Sequence, residues 1–339
     1  MSYELKPFSI GPIRVASPVV LAALAGYSDL AYRKICRQLG CPYSATEAML
    51  DTLMLADGRL RRRLVKLSDD DHPVAGQIMG CTADSMAAAA VVLAEMGFDV
   101  IDLNFACPVR KVLGRRRGGW MMGQPDLVID IIGRVLDAVA GKRPVTIKLR
   151  RAFHEDDREY AAFYKIARFA YDAGVASVCV HARSVTQKYT GRADWNFLAA
   201  ARREFPGRTM LGSGDVFTPG DAIAMLQQTG VDGVTAARGA IGNPWFFRQV
   251  QDAAAGRELY RPTTADLRQV MDDHFRLSCD LYGPRRAPKI MRKFGIKYAR
   301  MHPHPAKVRL AFINVKNQAD WQAVLDEFFT ERKEATSNQ

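Results

Sequence analysis

Eight short, apolar, β-leaning runs recur along this chain of 339 residues: Val19–Leu24, Tyr43–Ala48, Val74–Met79, Val100–Phe105, Val145–Leu149, Ser177–His181, Arg208–Gly212 and Gly233–Ala237. Helix-period stretches fill most of the intervals: Asp84–Met96, Asp126–Ala140, Asp157–Ala173 and Thr218–Thr229. Gly97, Gly174 and Gly230 stand where helix C-caps belong. Strands that alternate with helices pair in parallel, because each crossover returns the chain to the same end of the sheet. Eight such strands can close into a barrel. An open doubly wound sheet is the alternative, and spacing alone leaves it standing. No glycine-rich dinucleotide fingerprint follows the first run, which favours the α/β, (β/α)8 TIM-barrel reading.

The pattern changes after Trp245. From about Thr263 onward strand signals stop and helical periodicity takes over, with Thr263-Thr264-Ala265-Asp266 as a helix start. The expected organisation is a barrel over residues 1–250, an all-helical domain over 262–332 and a polar tail over 333–339. Between Leu281 and Asn317 lie ten Lys or Arg and no Asp or Glu. Lys289, Lys293, Lys297 and Arg300 fall at i, i+4, i+8 and i+11, one stripe of a helix. Like charges on one helix face repel at a few tenths of a kcal/mol per pair, so an isolated fold gains nothing from them and a phosphate backbone does. A solvated basic face is the plainer reading of such a run. The overall charge of +12 points the same way as the stripe, toward a polyanion such as RNA. Arg59, Arg61, Arg62 and Arg63 form a second cluster, and Arg115, Arg116 and Arg117 a third.

Other classes recede. No run of 18 apolar residues suggests a membrane span. The residues from Met1 to Lys6 lack an export pattern. Six cysteines without a CxxC pair argue against a disulfide framework and a zinc site. The expectation is a cytoplasmic protein without a bound metal.

In a barrel of this kind, chemistry collects at the C-terminal ends of the strands. The fourth run ends in Asp102-Leu103-Asn104-Phe105-Ala106-Cys107-Pro108-Val109-Arg110-Lys111-Val112. This segment resembles the signature N-x-G-C-P-x-x-K-V of the tRNA-dihydrouridine synthases, with Ala106 at the glycine. Leu21-Ala22-Ala23-Leu24-Ala25-Gly26-Tyr27-Ser28-Asp29 is similar to the family's L-A-P-M-A-G-x-T-D. Further matches follow in the family's order: Thr46-Glu47, Gly76-Gln77, Ile147-Lys148-Leu149-Arg150, Val180-His181-Ala182-Arg183, Gly212-Ser213-Gly214-Asp215 and Ala237-Arg238-Gly239-Ala240. The resemblance spans nearly the whole chain and suggests a divergent bacterial-type member.

It implies FMN as cofactor, NADPH as electron donor, tRNA as substrate and a monomeric enzyme. By the same resemblance Ala23, Leu24, Gln77, Asn104, Lys148 and His181 surround the flavin, and Asn104 also holds the uracil. A flavin phosphate would rest on the loops after strands seven and eight, on Gly212, Ser213, Gly214, Asp215, Ala237 and Arg238. Glu47, Arg183, Arg115, Arg116, Arg286, Lys289, Lys293, Lys297 and Arg300 are the expected substrate or RNA contacts. Alanine at 106 and 237 and serine at 213 depart from the family's pattern; an added Cβ strains a loop wherever positive φ is required.

The residues carry the chemistry independently. A lysine at a barrel strand end needs a partner, since burying an unpaired ammonium is costly, and the electron-rich edge of a reduced flavin is one. Cys107 follows a strand end and precedes Pro108, which biases it toward extended geometry. A thiol, with an ordinary pKa of about 8.5, is protonated at neutral pH and can deliver a proton to C5 of a pyrimidine receiving hydride at C6. A histidine at a strand end and a lone cysteine are both more often packed core residues. Four functions therefore remain open on the sequence: a uridine reductase acting on tRNA or on ribosomal RNA, an FMN reductase of a small enone or pyrimidine, a silent RNA-binding flavoprotein, and a basic module without cofactor.

Overall fold

The computed structural model describes residues 2–155 and 160–330. The expected polar tail 333–339, the last residues of the helical domain and the start of the Asp157–Ala173 helix lie outside the described residues.

Eight parallel strands close into a barrel: Val19–Leu21, Ser44–Ala45, Val74–Met79, Val100–Asn104, Val145–Arg150, Ser177–His181, Met210–Ser213 and Gly233–Ala236. Closure is made where the eighth strand pairs with the first, Val234 opposite Val19. The second strand is short, with Ser44 facing both Leu21 and Val74. It breaks after Ala45 and pairs again with the third strand at Met49 and Leu50. The third strand is buried along its whole length, as a strand covered on both faces must be.

Each expected strand is present, with ends shifted by a few residues. Elements the sequence reading did not name include the helices Leu30–Gln38 and Trp195–Glu204 and an antiparallel hairpin, Phe8–Ile10 with Ile13–Val15. Phe8, Ile10 and Val15 pack with Val20, Tyr43, Ala75, Val100 and Leu211, plugging the N-terminal end of the barrel. The open end is therefore the C-terminal one.

After the helix Phe246–Ala254, the described residues hold four more: Thr264–Tyr282, Ala287–Tyr298, Pro305–Ile313 and Gln318–Phe328. The first begins with a full capping box between Thr263 and Asp266. The first two dock on the helix Leu30–Gln38 that follows the first strand. Tyr32 of that helix lies 5.1 Å from the Phe294 ring and 5.3 Å from the His274 ring. One apolar cluster runs without interruption from the barrel's helical shell into this region. No helix among the described residues is long and apolar enough to cross a membrane.

Candidate active site

Alternate residues of each strand face the barrel axis, and the register arranges them in layers. Gln77, Asp102 and Thr146 are lateral neighbours across strands three to five. Above them Asn104 sits beside Lys148, and higher still Arg150 sits beside His181. This half of the mouth is polar. The opposite wall, the loop after the first strand, contributes Ala22, Ala23, Leu24 and Ala25.

The polar half is wired in one direction. Asp102 accepts from Thr146 Oγ1 (2.8 Å) and from Gln77 Nε2 (2.6 Å). Gln77 Oε1 then accepts from Asn104 Nδ2 (2.6 Å). Asn104 Oδ1 accepts from the backbone N–H groups of Ala106 and Cys107, both at 3.0 Å. The Cys107 main chain is held from the other side as well: its carbonyl accepts from Gly119 N (2.9 Å), and a Cβ on Gly118 would lie 2.9 Å from Cys107 Cβ. Gly118 has φ +57°, so glycine is required there by both space and conformation.

Burial raises the Asp102 carboxyl above the ordinary carboxylate range, opposed by the hydrogen bonds from Gln77 and Thr146 and by the charge of Lys148. Burial, followed by the charges of Arg150, Lys148, Arg183 and Arg238, pushes His181 well below its usual value, so the imidazole is neutral.

A cavity of about 450 Å³ opens above these residues. Its lining includes Ala23, Leu24, Gln77, Asn104, Cys107, Lys148, His181, Ser213, Gly214, Asp215, Ala237 and Arg238. The sulfur-bearing residue thus shares one chamber with the lysine and histidine of strands five and six. Ala106, Ser213 and Ala237 all avoid positive φ, so the added Cβ atoms impose no backbone strain there; Gly214 and Asp215 take that conformation instead.

Five expected site residues lie elsewhere. Gly212 faces the helical layer, where a Cβ would meet Met225 Sδ at 2.7 Å, so it serves helix packing and not the cavity. Arg183 is only 2% exposed. Its guanidinium donates to Thr190 O (3.1 Å), Gly191 O (2.6 Å) and both oxygens of Asp215 (2.6 and 2.7 Å), leaving it no surface for RNA. Glu47 accepts from Gly26 N, in the loop that walls the cavity. Lys293 donates to Gly26 O, and Arg300 donates to Arg238 O (3.3 Å) and Gly239 O (2.7 Å). These two cations fasten the helical region to the loops after strands one and eight, whereas Arg286, Lys289, Lys297, Arg115 and Arg116 are exposed.

Sequence reasoning missed Asp102, Thr146, Arg150 and Tyr189. The first three lie two residues from Asn104 or Lys148, and the two-residue period of a strand would have put them on the same face. Arg150 donates to Ala106 O (2.8 Å), Ser184 O (2.7 Å) and Lys188 O (2.8 Å), with its guanidinium 5.7 Å from the Tyr189 ring centroid. Burial lowers it to about 10. Tyr189 sits in a loop, where no periodicity marks it.

The chamber fits a flavin. It offers an apolar wall, free N–H capacity on Gln77 and Asn104, and a lysine with no ion-pair or hydrogen-bond partner among the described residues. Ser213, Gly214 and Arg238 line the side of the cavity below the loops after strands seven and eight. No group of metal-ligating side chains occurs among the described residues.

Solved structures of 2-naphthoyl-CoA reductase (TM-score 0.60, 11% identity) and of histamine dehydrogenase from Rhizobium sp. 4-9 (TM-score 0.57, 14% identity) share the barrel. They match 75% and 79% of this chain, which spans about half of each of theirs. A probable tRNA-dihydrouridine synthase of Mycobacterium tuberculosis is 32% identical over 327 residues, 94% of this chain and 83% of the relative. The tRNA-dihydrouridine synthase B of Pseudomonas syringae is 30% identical over 331 residues, 97% and 96% of the two chains. The family profile described as Dihydrouridine synthase (Dus) matches residues 20–334, and the chain belongs to that family.

Proposed function

We propose that this protein reduces uridine to 5,6-dihydrouridine in tRNA, with FMN as the hydride carrier and NADPH as the reductant. One observation carries the reading: Cys107, Asn104, Lys148 and His181 line a single chamber at the open end of the barrel. When bound there, FMN supplies hydride to C6 of the pyrimidine. The chain's own residues do the rest. Asn104 and Gln77 orient the reacting rings through their remaining amide N–H groups. Lys148 places a positive charge where negative charge develops. Cys107 gives its proton to C5, so that one hydride and one proton saturate the C5=C6 bond, and the thiolate regains its proton from solvent. Neutral His181 adds a hydrogen-bonding group without adding charge to an already cationic wall.

The uridine must leave its stack to enter, at a cost of a few kcal/mol. Contacts of the exposed cations Arg286, Lys289, Lys297, Arg115 and Arg116 with the RNA backbone offset that cost. A monomer in the cytoplasm suffices for this task. The test is to map dihydrouridine in cellular RNA with the intact protein and with Cys107→Ala. The purified variant is expected to stay yellow and to be bleached by NADPH under nitrogen, while its RNA lacks the modification. Full modification by the alanine variant would overturn the assignment.

A further inference from the structure

We propose that Asp102 is a positioning residue that sets the direction of a hydrogen-bond relay ending at the main chain of Cys107. This rests on the reading of Cys107 as the proton donor. Each carboxamide in the relay can present its oxygen or its nitrogen to a given neighbour, and the two choices are nearly equal in shape. A carboxylate has no such freedom, because it only accepts. Asp102 therefore obliges Gln77 to turn its nitrogen inward. The Gln77 oxygen then faces outward and obliges Asn104 to present its own nitrogen. The Asn104 oxygen is left facing the two N–H groups of the Ala106–Cys107 turn. With the opposite orientation, an amide nitrogen would oppose those two donors, and the turn carrying the thiol would open.

Asp102 is not among the residues that line the chamber; it lies one layer below Asn104, 8% exposed. Thr146 supports the arrangement, because its hydroxyl can donate or accept. In Asp102→Asn the new carboxamide can therefore keep its oxygen toward Gln77 and turn its nitrogen toward Thr146, preserving the relay without the charge. In Asn104→Asp, Gln77 faces an acceptor on both sides with a single nitrogen for as long as both carboxyls are ionised. Exchanging the two side chains restores every bond. Gln77 reverses, the carboxylate now on strand four's upper layer accepts from the turn, and the carboxamide now on the lower layer accepts from Thr146.

The experiment measures the rate at which iodoacetamide labels Cys107 in the flavin-loaded protein, resolved by peptide mass spectrometry. Asp102→Asn is expected to stay within about twofold of the parent, and Asn104→Asp to depart from it by about tenfold. The double variant Asp102→Asn with Asn104→Asp should return to within about threefold. If the double variant remains as altered as Asn104→Asp, direction is not transmitted and the inference fails. It also fails if Asp102→Asn alone shifts labelling tenfold, since charge would then matter more than direction. The labelling rate needs no uridine reduction, so an unmodified RNA with the parent protein would sink the proposed function and leave this result standing.

Discussion

The cations at the barrel mouth and those of the helical region do opposite work. Arg150 and Arg183 are enclosed, and between them their guanidinium groups donate to five backbone carbonyls and to Asp215. Arg286, Lys289 and Lys297 are exposed and close no ion pair among the described residues. An enclosed cation is held by the groups it satisfies, and removing it leaves those groups bare in a low dielectric. An exposed one contributes little to the fold and is free for an incoming anion. Charge counted along the sequence does not separate the two kinds; accessible surface does. Lys293 and Arg300 fall between them, belonging to the helical region by position and to the barrel loops by their bonds.

The contrast can be broken in order of effect. Cys107→Ala should lower the single-turnover rate of uridine reduction by roughly 10²–10⁴-fold, the range of a lost general acid; a loss below tenfold would show that another group supplies the proton. Arg183→Leu should cost about 3 kcal/mol of stability by urea titration, because two carbonyls lose a donor and Asp215 loses its closest cation, keeping Ala193 N and the more distant Arg238. Lys289→Leu should cost under about 0.5 kcal/mol. Equal costs would dissolve the distinction.

His274, at the seam between the regions, tests it by pH. Burial lowers this histidine to about 3. The unfolded chain therefore takes up the proton first, near its ordinary value of about 6.5, and stability falls as pH drops below that. At pH 5 the loss attributable to this residue is about 2 kcal/mol. His274→Phe should remove that part of the pH dependence, read as urea midpoints at pH 7 and pH 5. The smallest effect sharpens the comparison: charge reversal of Arg286, Lys289 and Lys297 should reduce the salt slope of RNA binding by about 2–3, leaving flavin reduction by NADPH unchanged.

Much of this arrangement was legible from the residues alone, for identifiable reasons. The strand runs were readable because β-branched and apolar residues bounded by glycine leave few alternatives. Lys148 and His181 could be singled out because they lie at or near strand ends, whereas Gln77, inside its strand, and Asn104 came from the family resemblance. The N-terminal hairpin was not found, since its strands are three residues long and its stability comes from plugging the barrel. Arg183 was misread because only the folded loop brings the carbonyls of Thr190 and Gly191 back onto it. Gly212 looked like part of a phosphate loop, and only the approach of Met225 reveals its purpose. Helical periodicity placed Lys293 on a stripe with Lys289 and Lys297, but its long stem reaches the barrel loop at Gly26.

Two of the bonds that fasten the helical region, Lys293 to Gly26 and Arg300 to Gly239, land on the two loops flanking the eighth-to-first strand seam. The part of the molecule that would grip RNA thus braces the rim of the chamber where the base would be reduced. Retargeting by exchanging the helical arm would disturb that rim unless the new arm brought cations at the same two points. In this architecture, a change to the helical region is also a change to the rim of the pocket.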